Sequence, residues 1–417
     1  MPEIRPFKAI RPDKQYALQV AAPPYDVLNS EEARELTRDN PYSFLHISKP
    51  EIDLPRDINP YDEKVYAKGK ENLDKFMDQE ILIQEEKPSF YIYRQVMGDH
   101  SQTGIVACAS VEDYDNKKIK IHEHTREAKE KDRTKHVDTL SANTGPVFLT
   151  YHAKEKINEI VENFKQGHEP LYDFTSEDGI EHTIWKMDDE NLIVELQEKF
   201  AQLDKLYISD GHHRSASASN VQKIRKGNNP SHNGDEEYNY FLTVIFPDEQ
   251  MNIMDYNRVV KDLNGLDSTE FIEKVKQKYE LEEKSQQYKP TAKHEFSMYL
   301  DGKWYKMKAR SGTFDKNDVV KSLDVSILHD NLMEPLLGIS NPRKDKRINF
   351  VGGIRGLGEL EKLVNSEEYK VAFALYPTSI HDLIQVADAD KVMPPKSTWF
   401  EPKLRSGLIT HIIETNE

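Results

Sequence analysis

The stretch Lys205-Leu-Tyr-Ile-Ser-Asp-Gly-His-His-Arg214 joins a short apolar strand directly to the start of a helix. Leu206 to Ile208 favour a strand, and the apolar positions that follow Arg214 predict a helix that ends near Gly227. We interpret Asp210 as the N-cap of this helix. Strands and helices are intermixed in the same way along the rest of the chain, which predicts an α+β or mixed α/β protein.

The same stretch has the residue types of an anion site. A helix N-terminus presents unpaired N–H groups and the positive end of the helix dipole. Gly211 lets the backbone approach a ligand closely, while His212, His213 and Arg214 add side-chain donors. The alternative is that Asp210 only caps the helix and the histidines are surface residues. Three such donors on one first turn exceed what a cap needs, so we favour the anion site.

Length and charge limit the possible functions. The chain has 417 residues, of which 37% are hydrophobic, and a formal net charge of -16. We expect two closely packed lobes. Residues 1–235 would contain the anion site at 210–214, and residues 236–417 would contribute to the cleft in which this site lies. The acidic charge argues against broad binding of nucleic acid or of anionic membranes. An anion site must therefore be a local cationic pocket.

Two further features indicate the compartment. No run approaches the roughly 18 apolar residues of a membrane-spanning helix, and the first residues lack the pattern of a secretory leader. We therefore expect a cytoplasmic protein. The single cysteine, Cys108, lies in an apolar strand, which excludes an internal disulfide and predicts a buried thiol without chemistry.

The segment Ala22-Pro-Pro-Tyr-Asp-Val27 combines two prolines with Tyr25 and Asp26. The prolines restrict the backbone, which suits a catalytic carboxylate held in an extended segment. Asp26 is alternatively a turn residue before the helix that Asn29 and Glu32 open as a capping box. Residue type alone favours the turn.

The segment 121–133 carries polar side chains at high density directly after a predicted strand. Those that suit a cleft wall are His122, Glu123, His124 and Thr125. His122 and His124 could ligate zinc in an extended segment, with His136 or His212 completing the site. Since neither a cysteine pair nor a His-Glu-x-x-His spacing accompanies them, we assign no metal ligand.

The segment Phe350–Leu360 predicts a strand, a glycine-rich turn and a helix. Its glycines have the wrong spacing for a dinucleotide fingerprint, and no Walker lysine follows. Close packing and phosphate binding are equally good explanations, and Arg355 would decide between them.

The segment Met393–Lys403 offers polar and basic side chains on a backbone that prolines stiffen. They are Lys396, Ser397, Thr398 and Lys403, and they stand beside Trp399 and Phe400. The mixture suits contact with an anion or an adenine ring, or else the aromatic pair anchors the C-terminal strand in the core.

The pattern of apolar residues predicts the remaining elements. Strands are expected at 89–97, 104–111, 146–151, 240–246, 348–351 and 371–376, with a hairpin at 295–309 that turns at Asp301-Gly302. The first three strands should share one sheet. Helices are expected after Pro60 and at the charged segments 156–165 and 271–284.

Together these motifs resemble a known family. They are Ala-Pro-Pro-Tyr-Asp-Val (22–27), His-Glu-His-Thr-Arg with Lys-Glu-Lys-Asp-Arg (122–133), Ser-Asp-Gly-His-His-Arg (209–214), Asp-Tyr-Asn-Arg-Val-Val (255–260), Phe-Val-Gly-Gly-Ile-Arg-Gly (350–356) and Met-Pro-Pro-Lys-Ser-Thr-Trp-Phe (393–400). The chain resembles the bacterial and archaeal domain-of-unknown-function family ten-fifteen over nearly its whole length. Asp-Gly-His-His-Arg also resembles the phosphate-binding helix start of the ParB/sulfiredoxin-like superfamily, which includes kinases of free L-serine.

The resemblance implies a ParB/sulfiredoxin-like core with added strands and helices, and a cytoplasmic kinase that makes O-phospho-L-serine with Mg²⁺ and ATP or ADP. It implies that Asp210, Gly211, His212, His213 and Arg214 hold the nucleotide phosphates. Asp26 would accept the hydroxyl proton of serine, with Glu123 as the rival base or a carboxylate beside the magnesium ion. The implied substrate-binding residues are Tyr25, His122, Thr125, Arg126, Lys396, Ser397 and Thr398. Arg126 and Glu123 suit the carboxylate and the amine of serine, with Thr125 as a hydrogen-bond partner.

Two other functions remain open. The pocket could bind a nucleotide or a phosphorylated metabolite without turnover and act as a regulator. The chain could also be a ParB-like nucleic-acid-processing enzyme or DNA clamp, but its acidic charge and the lack of a helix-turn-helix pattern count against this. We therefore expect small-molecule partners, neither nucleic acid nor a membrane, and a homodimer as a candidate assembly.

Overall fold

The structure is a computed structural model that describes residues 1–414. Its strands are β1 (Ile4–Arg5), β2 (Ile10–Pro12), β3 (Leu82–Gln84), β4 (Phe90–Met97), β5 (His100–Ser110), β6 (Ile119–Lys120), β7 (Ala142–Asn143), β8 (Val147–Tyr151), β9 (Tyr172–Thr175), β10 (Glu181–Met187), β11 (Leu206–Asp210), β12 (Tyr240–Pro247), β13 (Ile253–Met254), β14 (Tyr256–Val260), β15 (Tyr279–Lys284), β16 (Glu295–Leu300), β17 (Lys303–Ala309), β18 (Ile348–Gly352), β19 (Val371–Leu375), β20 (Trp399–Phe400) and β21 (His411–Ile412).

Its α-helices are α1 (Ala17–Val20), α2 (Ser30–Thr37), α3 (Leu45–Ser48), α4 (Glu63–Asp78), α5 (Val111–Asp115), α6 (Glu127–Leu140), α7 (Glu155–Gly167), α8 (Glu190–Phe200), α9 (His212–Asn228), α10 (Ser268–Lys278), α11 (Asp324–Leu328), α12 (Gly356–Asn365) and α13 (Ile380–Asp388). Short 3-10 helices cover Lys14–Tyr16, Pro50–Asp53, Glu237–Asn239, Asp248–Gln250 and Gly353–Arg355, and a π-helical turn covers His329–Met333. The mixture of helices and strands confirms the predicted mixed α/β class.

The chain forms two compact units. The first contains Met1–Met251 and the segment from Pro402 onward, and the second contains Asn252–Glu401. The division therefore differs from the expected one at residues 235 and 236. The reason is that β12 pairs with β5 and β8 inside the first unit, and β21 pairs with β7 there.

A mixed nine-stranded sheet forms the centre of the first unit. Its order is β6-β11-β8-β12-β5-β4-β10-β9, with β1 paired to β5. The central strand β12 is buried along its whole length, as expected for a strand covered on both faces. The three strands predicted to share a sheet do so, but β5 begins at His100. The loop expected between the first two is therefore a tight turn at Gly98, whose φ is 57°.

The second unit contains an antiparallel six-stranded sheet in the order β15-β17-β16-β19-β14-β18. Apolar residues alternate between its two faces, so Val259 packs in the cluster that includes helix α12, whereas Val260 packs in the cluster on the other face. The predicted hairpin at Asp301-Gly302 is confirmed, with both residues at positive φ.

The helix predicted over 271–284 is correct only in its first part. Helix α10 ends at Lys278, and residues 279–284 form the edge strand β15, which pairs with β17. The charges that suggested a solvated helix face are those of a solvent-facing edge strand, where they discourage pairing with another chain.

The glycine-rich segment of the second unit is a packing device. A Cβ atom on Gly353 would lie 2.5 Å from Oδ1 of Asp255, so only glycine fits there. The side chain of Arg355 is 65% exposed, which favours packing over phosphate binding. Phe400 is buried and Trp399 packs edge-on against Tyr256, in agreement with an anchoring role for the aromatic pair.

Two other predictions concern the cysteine and membrane-spanning helices. Cys108 is a free, buried thiol in β5, as predicted. Among the helices of the described residues, none combines the length and the apolar character needed to cross a lipid bilayer.

Candidate functional site

The junction between β11 and α9 lies in the first unit. Gly211, with a φ of 100°, is the N-cap, and no side chain caps the helix. A Cβ atom there would lie 3.3 Å from Cα of Val147, so the position requires glycine for both its dihedral angle and its space. The prediction that Asp210 caps the helix is wrong, because Asp210 ends the strand and its carboxylate forms ion pairs instead. The N–H groups of the first turn are left without a side-chain cap.

Asp210 binds two cations. Its Oδ2 accepts a hydrogen bond from Nζ of Lys403 at 2.8 Å, and its Oδ1 lies 3.9 Å from a terminal nitrogen of Arg214. Burial alone would raise the pKa of Asp210, but Lys403 and Arg214 outweigh it and hold the pKa well below its ordinary value. Asp210 is therefore an anion at neutral pH, and it neutralises part of the positive charge of Lys403 and Arg214 at the helix start.

Arg214 is held close to the turn. One of its terminal nitrogens donates to the carbonyl of Pro146, and its Nε is buried without a hydrogen-bond partner. Its side chain is 13% exposed. A buried donor without a partner is costly, so Nε is one donor at this helix start that the protein itself does not satisfy.

His212 is neutral rather than cationic. Its ring contacts the ring of His122 edge-on at 4.4 Å, and its Nε2 accepts the backbone N–H of His122 at 3.3 Å. Burial, with the neighbouring His122, lowers the pKa of His212 well below its ordinary value, and burial lowers that of His122 to about 4. The two rings hold the segment after β6 against the start of α9.

His213 makes a second link to this segment. Its Nε2 accepts the backbone N–H of Arg126 at 3.1 Å, so in the neutral ring the proton is on Nδ1. Burial and the charge of Arg126 lower the pKa of His213. Thr125 donates to Glu130 at 2.6 Å, so its hydroxyl stabilises the first turn of α6.

Tyr25 and Asp26 lie beside this junction. The guanidinium of Arg133 stacks over the ring of Tyr25 at 4.1 Å. Burial and the charge of Asp26 raise the pKa of Tyr25, while Arg133 and Arg214 oppose the rise. Asp26 is exposed and also acts electrostatically on His213. The reciprocal hydrogen bonds of Asn29 and Glu32 at the start of α2 confirm the predicted capping box.

A cleft of about 500 Å³, including open solvent, lies between these elements. Its lining includes Pro24, Tyr25, Ser48, Arg133, His136, Asn143, Thr144, Gly145, Arg214 and Ser406. The structure thus brings Tyr25 and Arg214, predicted from separate motifs, to one cleft. Sequence reasoning missed Ser48 and Arg133 as site residues. Arg133 had a signal, because it closes the motif that begins at His122, whereas Ser48 had none.

Comparison with known proteins assigns the family. The family described as "Protein of unknown function (DUF1015)" matches residues 4–326, which is most of the chain. The chain belongs to the DUF1015 family. No curated protein matches it in sequence.

Several solved structures are distantly similar to this DUF1015 chain. A free serine kinase in complex with AMP is 13% identical, with a TM-score of 0.36, over 73% of this chain and 91% of that one. A conserved hypothetical protein from Pyrococcus furiosus is 14% identical, with a TM-score of 0.35, over 74% and 95%. SbnI with a C-terminal truncation, from Staphylococcus aureus, is 11% identical, with a TM-score of 0.31, over 75% and 90%. Similarity at this level is not evidence for a shared activity.

The remaining predicted substrate residues of the DUF1015 chain lie in the second unit. The carbonyl of Lys396 accepts a hydrogen bond from Arg258 at 2.8 Å, and the ammonium group of Lys396 lies 5.3 Å from the ring centre of Tyr256. Ser397 is buried and its hydroxyl donates to the carbonyl of Pro394, while Thr398 is half-buried. Their role toward a ligand stays a prediction.

The histidines considered for zinc do not form a three-ligand group in the described part of the chain. The group of metal-ligand type found there is His329, Asp330 and Glu334, in the second unit. His124 is exposed, and His136 bonds through Nε2 to the carbonyl of Ile47. Glu123 is half-buried, on the same segment as His122.

Proposed function

We propose that this protein is a cytoplasmic, nucleotide-dependent kinase that phosphorylates free L-serine to O-phospho-L-serine. The observation that carries the proposal is the meeting of Tyr25 and Arg214 at one cleft of the first unit, beside the uncapped start of α9. Phosphoryl transfer requires mainly positioning and the neutralisation of charge. A helix start, a guanidinium and a nearby carboxylate supply both.

The proposed roles follow the geometry. The N–H groups after Gly211, which no side chain caps, and the guanidinium of Arg214 bind the nucleotide phosphates. The histidines of the first turn position the segment 122–126 rather than supply positive charge, because both have lowered pKa values. Asp26 accepts the proton of the serine hydroxyl, since it is exposed next to Tyr25 and acts on His213.

Mg²⁺ would be held by oxygen ligands. With Asp26 as the base, Glu123 is the carboxylate on the magnesium side, and nucleotide oxygens and water would complete the coordination. When bound, the ion neutralises charge on the phosphates.

The direct test is to incubate the purified protein with Mg²⁺, L-serine and either ATP or ADP, and to detect O-phosphoserine by mass spectrometry or phosphorus NMR. We expect product with one nucleotide, which identifies the donor. If both nucleotides raise the melting temperature and neither yields product, the protein binds nucleotides without turnover and the kinase proposal is wrong.

The phosphate role of Arg214 gives a second prediction. Arg214→Gln should weaken ADP binding by roughly tenfold or more, because a charge-assisted hydrogen bond to phosphate is lost. Calorimetric titration with ADP measures this. Arg11→Gln is the matched control, because Arg11 is a similarly buried arginine of the first unit that pairs with Glu85. An ADP affinity that is equal in Arg214→Gln and in the wild type would refute the role.

A further inference from the structure

The cleft of the first unit contains polar atoms that the protein leaves without partners. Oγ of Ser48 and Nδ1 of His136 are both buried, both residues line the cleft, and neither atom has a hydrogen-bond partner in the described residues. Ser48 is 3% exposed and His136 is 1% exposed. Buried polar atoms are nearly always paired, so two orphans on one cleft indicate a polar ligand.

The hydrogen bonds of His136 determine which kind of group it can bind. Its Nε2 lies 3.0 Å from the carbonyl oxygen of Ile47. A carbonyl has no proton to give, so Nε2 carries the proton and donates it. Burial, with the charge of Arg133, lowers the pKa of His136 to about 3, so the ring is neutral at neutral pH and Nδ1 is an acceptor. The ligand must therefore bring a donor, such as a hydroxyl or an ammonium group.

Arg133 supplies the complementary donor. Its side chain is 11% exposed; its Nε donates to Asp132 at 2.9 Å and one terminal nitrogen contacts the carbonyl of Ser48 at 3.4 Å. A guanidinium has five N–H groups, so donors remain for a ligand carboxylate. Because Asp132 already balances the charge of Arg133, a zwitterion adds no net charge to the buried site, whereas a phosphate dianion would add two negative charges.

We propose that this cleft binds the acceptor amino acid, with Arg133 holding its carboxylate and Ser48 and His136 holding its hydroxyl or ammonium group. The identity of the ligand as a small hydroxy amino acid rests on the proposed kinase function. Arg214 lines the same cleft and belongs to the start of α9, so an acceptor bound here lies next to the proposed phosphate site. The proposal moves carboxylate recognition from Arg126, which is exposed, to Arg133.

Ser48→Ala is the decisive variant. Since Oγ of Ser48 has no protein partner, its removal should leave the melting temperature unchanged. L-serine binding should weaken roughly tenfold, as expected for the loss of one hydrogen bond to a polar or charged ligand group. Ser326→Ala is the matched control, because the hydroxyl of Ser326 is equally buried and unpartnered but lies in the second unit.

The measurement is calorimetric titration of the full-length wild type and both variants with L-serine and with inorganic phosphate, each with and without AMP. AMP can fill the nucleotide site but has no phosphoryl group to transfer in this reaction. The proposal is supported if L-serine binds more weakly to Ser48→Ala than to the wild type, while Ser326→Ala binds it as the wild type does. The proposal is overturned if Ser48→Ala binds L-serine as tightly as the wild type does, or if the wild type binds no L-serine with or without AMP. It is also overturned if phosphate competes with L-serine and the competition depends on Ser48.

The assay of phosphoserine formation separates this proposal from the proposed function. Binding of L-serine that depends on Ser48, without product from ATP or ADP, keeps the binding site and rejects the kinase. Product formation with the same KM for L-serine in Ser48→Ala and in the wild type keeps the kinase and rejects this binding site.

Discussion

Asp26→Asn is expected to reduce the rate of phosphoserine formation by a factor of about 10²–10⁴, which is the usual contribution of a general base. Asparagine has nearly the same shape but cannot accept the hydroxyl proton. Asp26 is exposed, so its replacement should cost little stability. The Kd for ADP should remain nearly unchanged, because the phosphates are bound by the start of α9. Steady-state kinetics and calorimetry on the same preparations test both expectations.

Two variants make this test specific. Asp99→Asn removes an exposed carboxylate at the turn between β4 and β5, and kcat should not change. Glu123→Gln removes the rival base. If Asp26→Asn retains the wild-type kcat and Glu123→Gln loses it, the base is Glu123, and Asp26 is the turn residue that its residue type alone suggests.

Much of the fold could be predicted because its strands and helices have clear periodicity. The strand at 240–246 is apolar at every position except Thr243, and Asp301-Gly302 is a strong hairpin turn. The segment 279–284 could not be predicted, because charged residues occur both on solvated helix faces and on edge strands, and only pairing with β17 decides. The division of the units was missed for a similar reason. The return of the C-terminal residues to the first unit depends on pairing between β21 and β7, which are far apart in the sequence.

The candidate site was predictable where the signal is local. The strand, Gly211 and the helix of residues 206–228 follow from adjacent residues. The N-cap was misassigned because aspartate is a preferred cap, and nothing local shows that Lys403 and Arg214 bind Asp210 instead. The sequence also does not show that His212 and His213 are neutral, since burial lowers the pKa of both and burial depends on the whole fold. Ser48 and Arg133 reach one cleft only through the packing of α3 and α6.

Asp210→Asn is expected to lower the free energy of unfolding by about 1–3 kcal/mol, because it leaves the largely buried cations of Lys403 and Arg214 without their half-buried carboxylate. Asparagine keeps the shape of the side chain, so the decrease in the free energy of unfolding measures the effect of removing the negative charge. Urea denaturation measures it. Asp74→Asn is the matched control, because Asp74 pairs with Lys70 but its side chain is 52% exposed, against 30% for Asp210. The control should lose less stability, as more exposed ion pairs contribute little.

The pH dependence of the same variant tests the cause. The pKa of Asp210 is lower in the folded protein than in the unfolded chain, so the folded state binds fewer protons at this group. The stability difference between wild type and Asp210→Asn should therefore be fully present above the ordinary carboxyl pKa of about 4 and shrink as the pH falls below it. Lys403→Met should cost less in the Asp210→Asn background than in the wild type, because the charge pair is already broken. Equal costs in both backgrounds, or a stability difference that does not change with pH, would show that Asp210 stabilises the protein by packing and not by holding the cations at the start of α9.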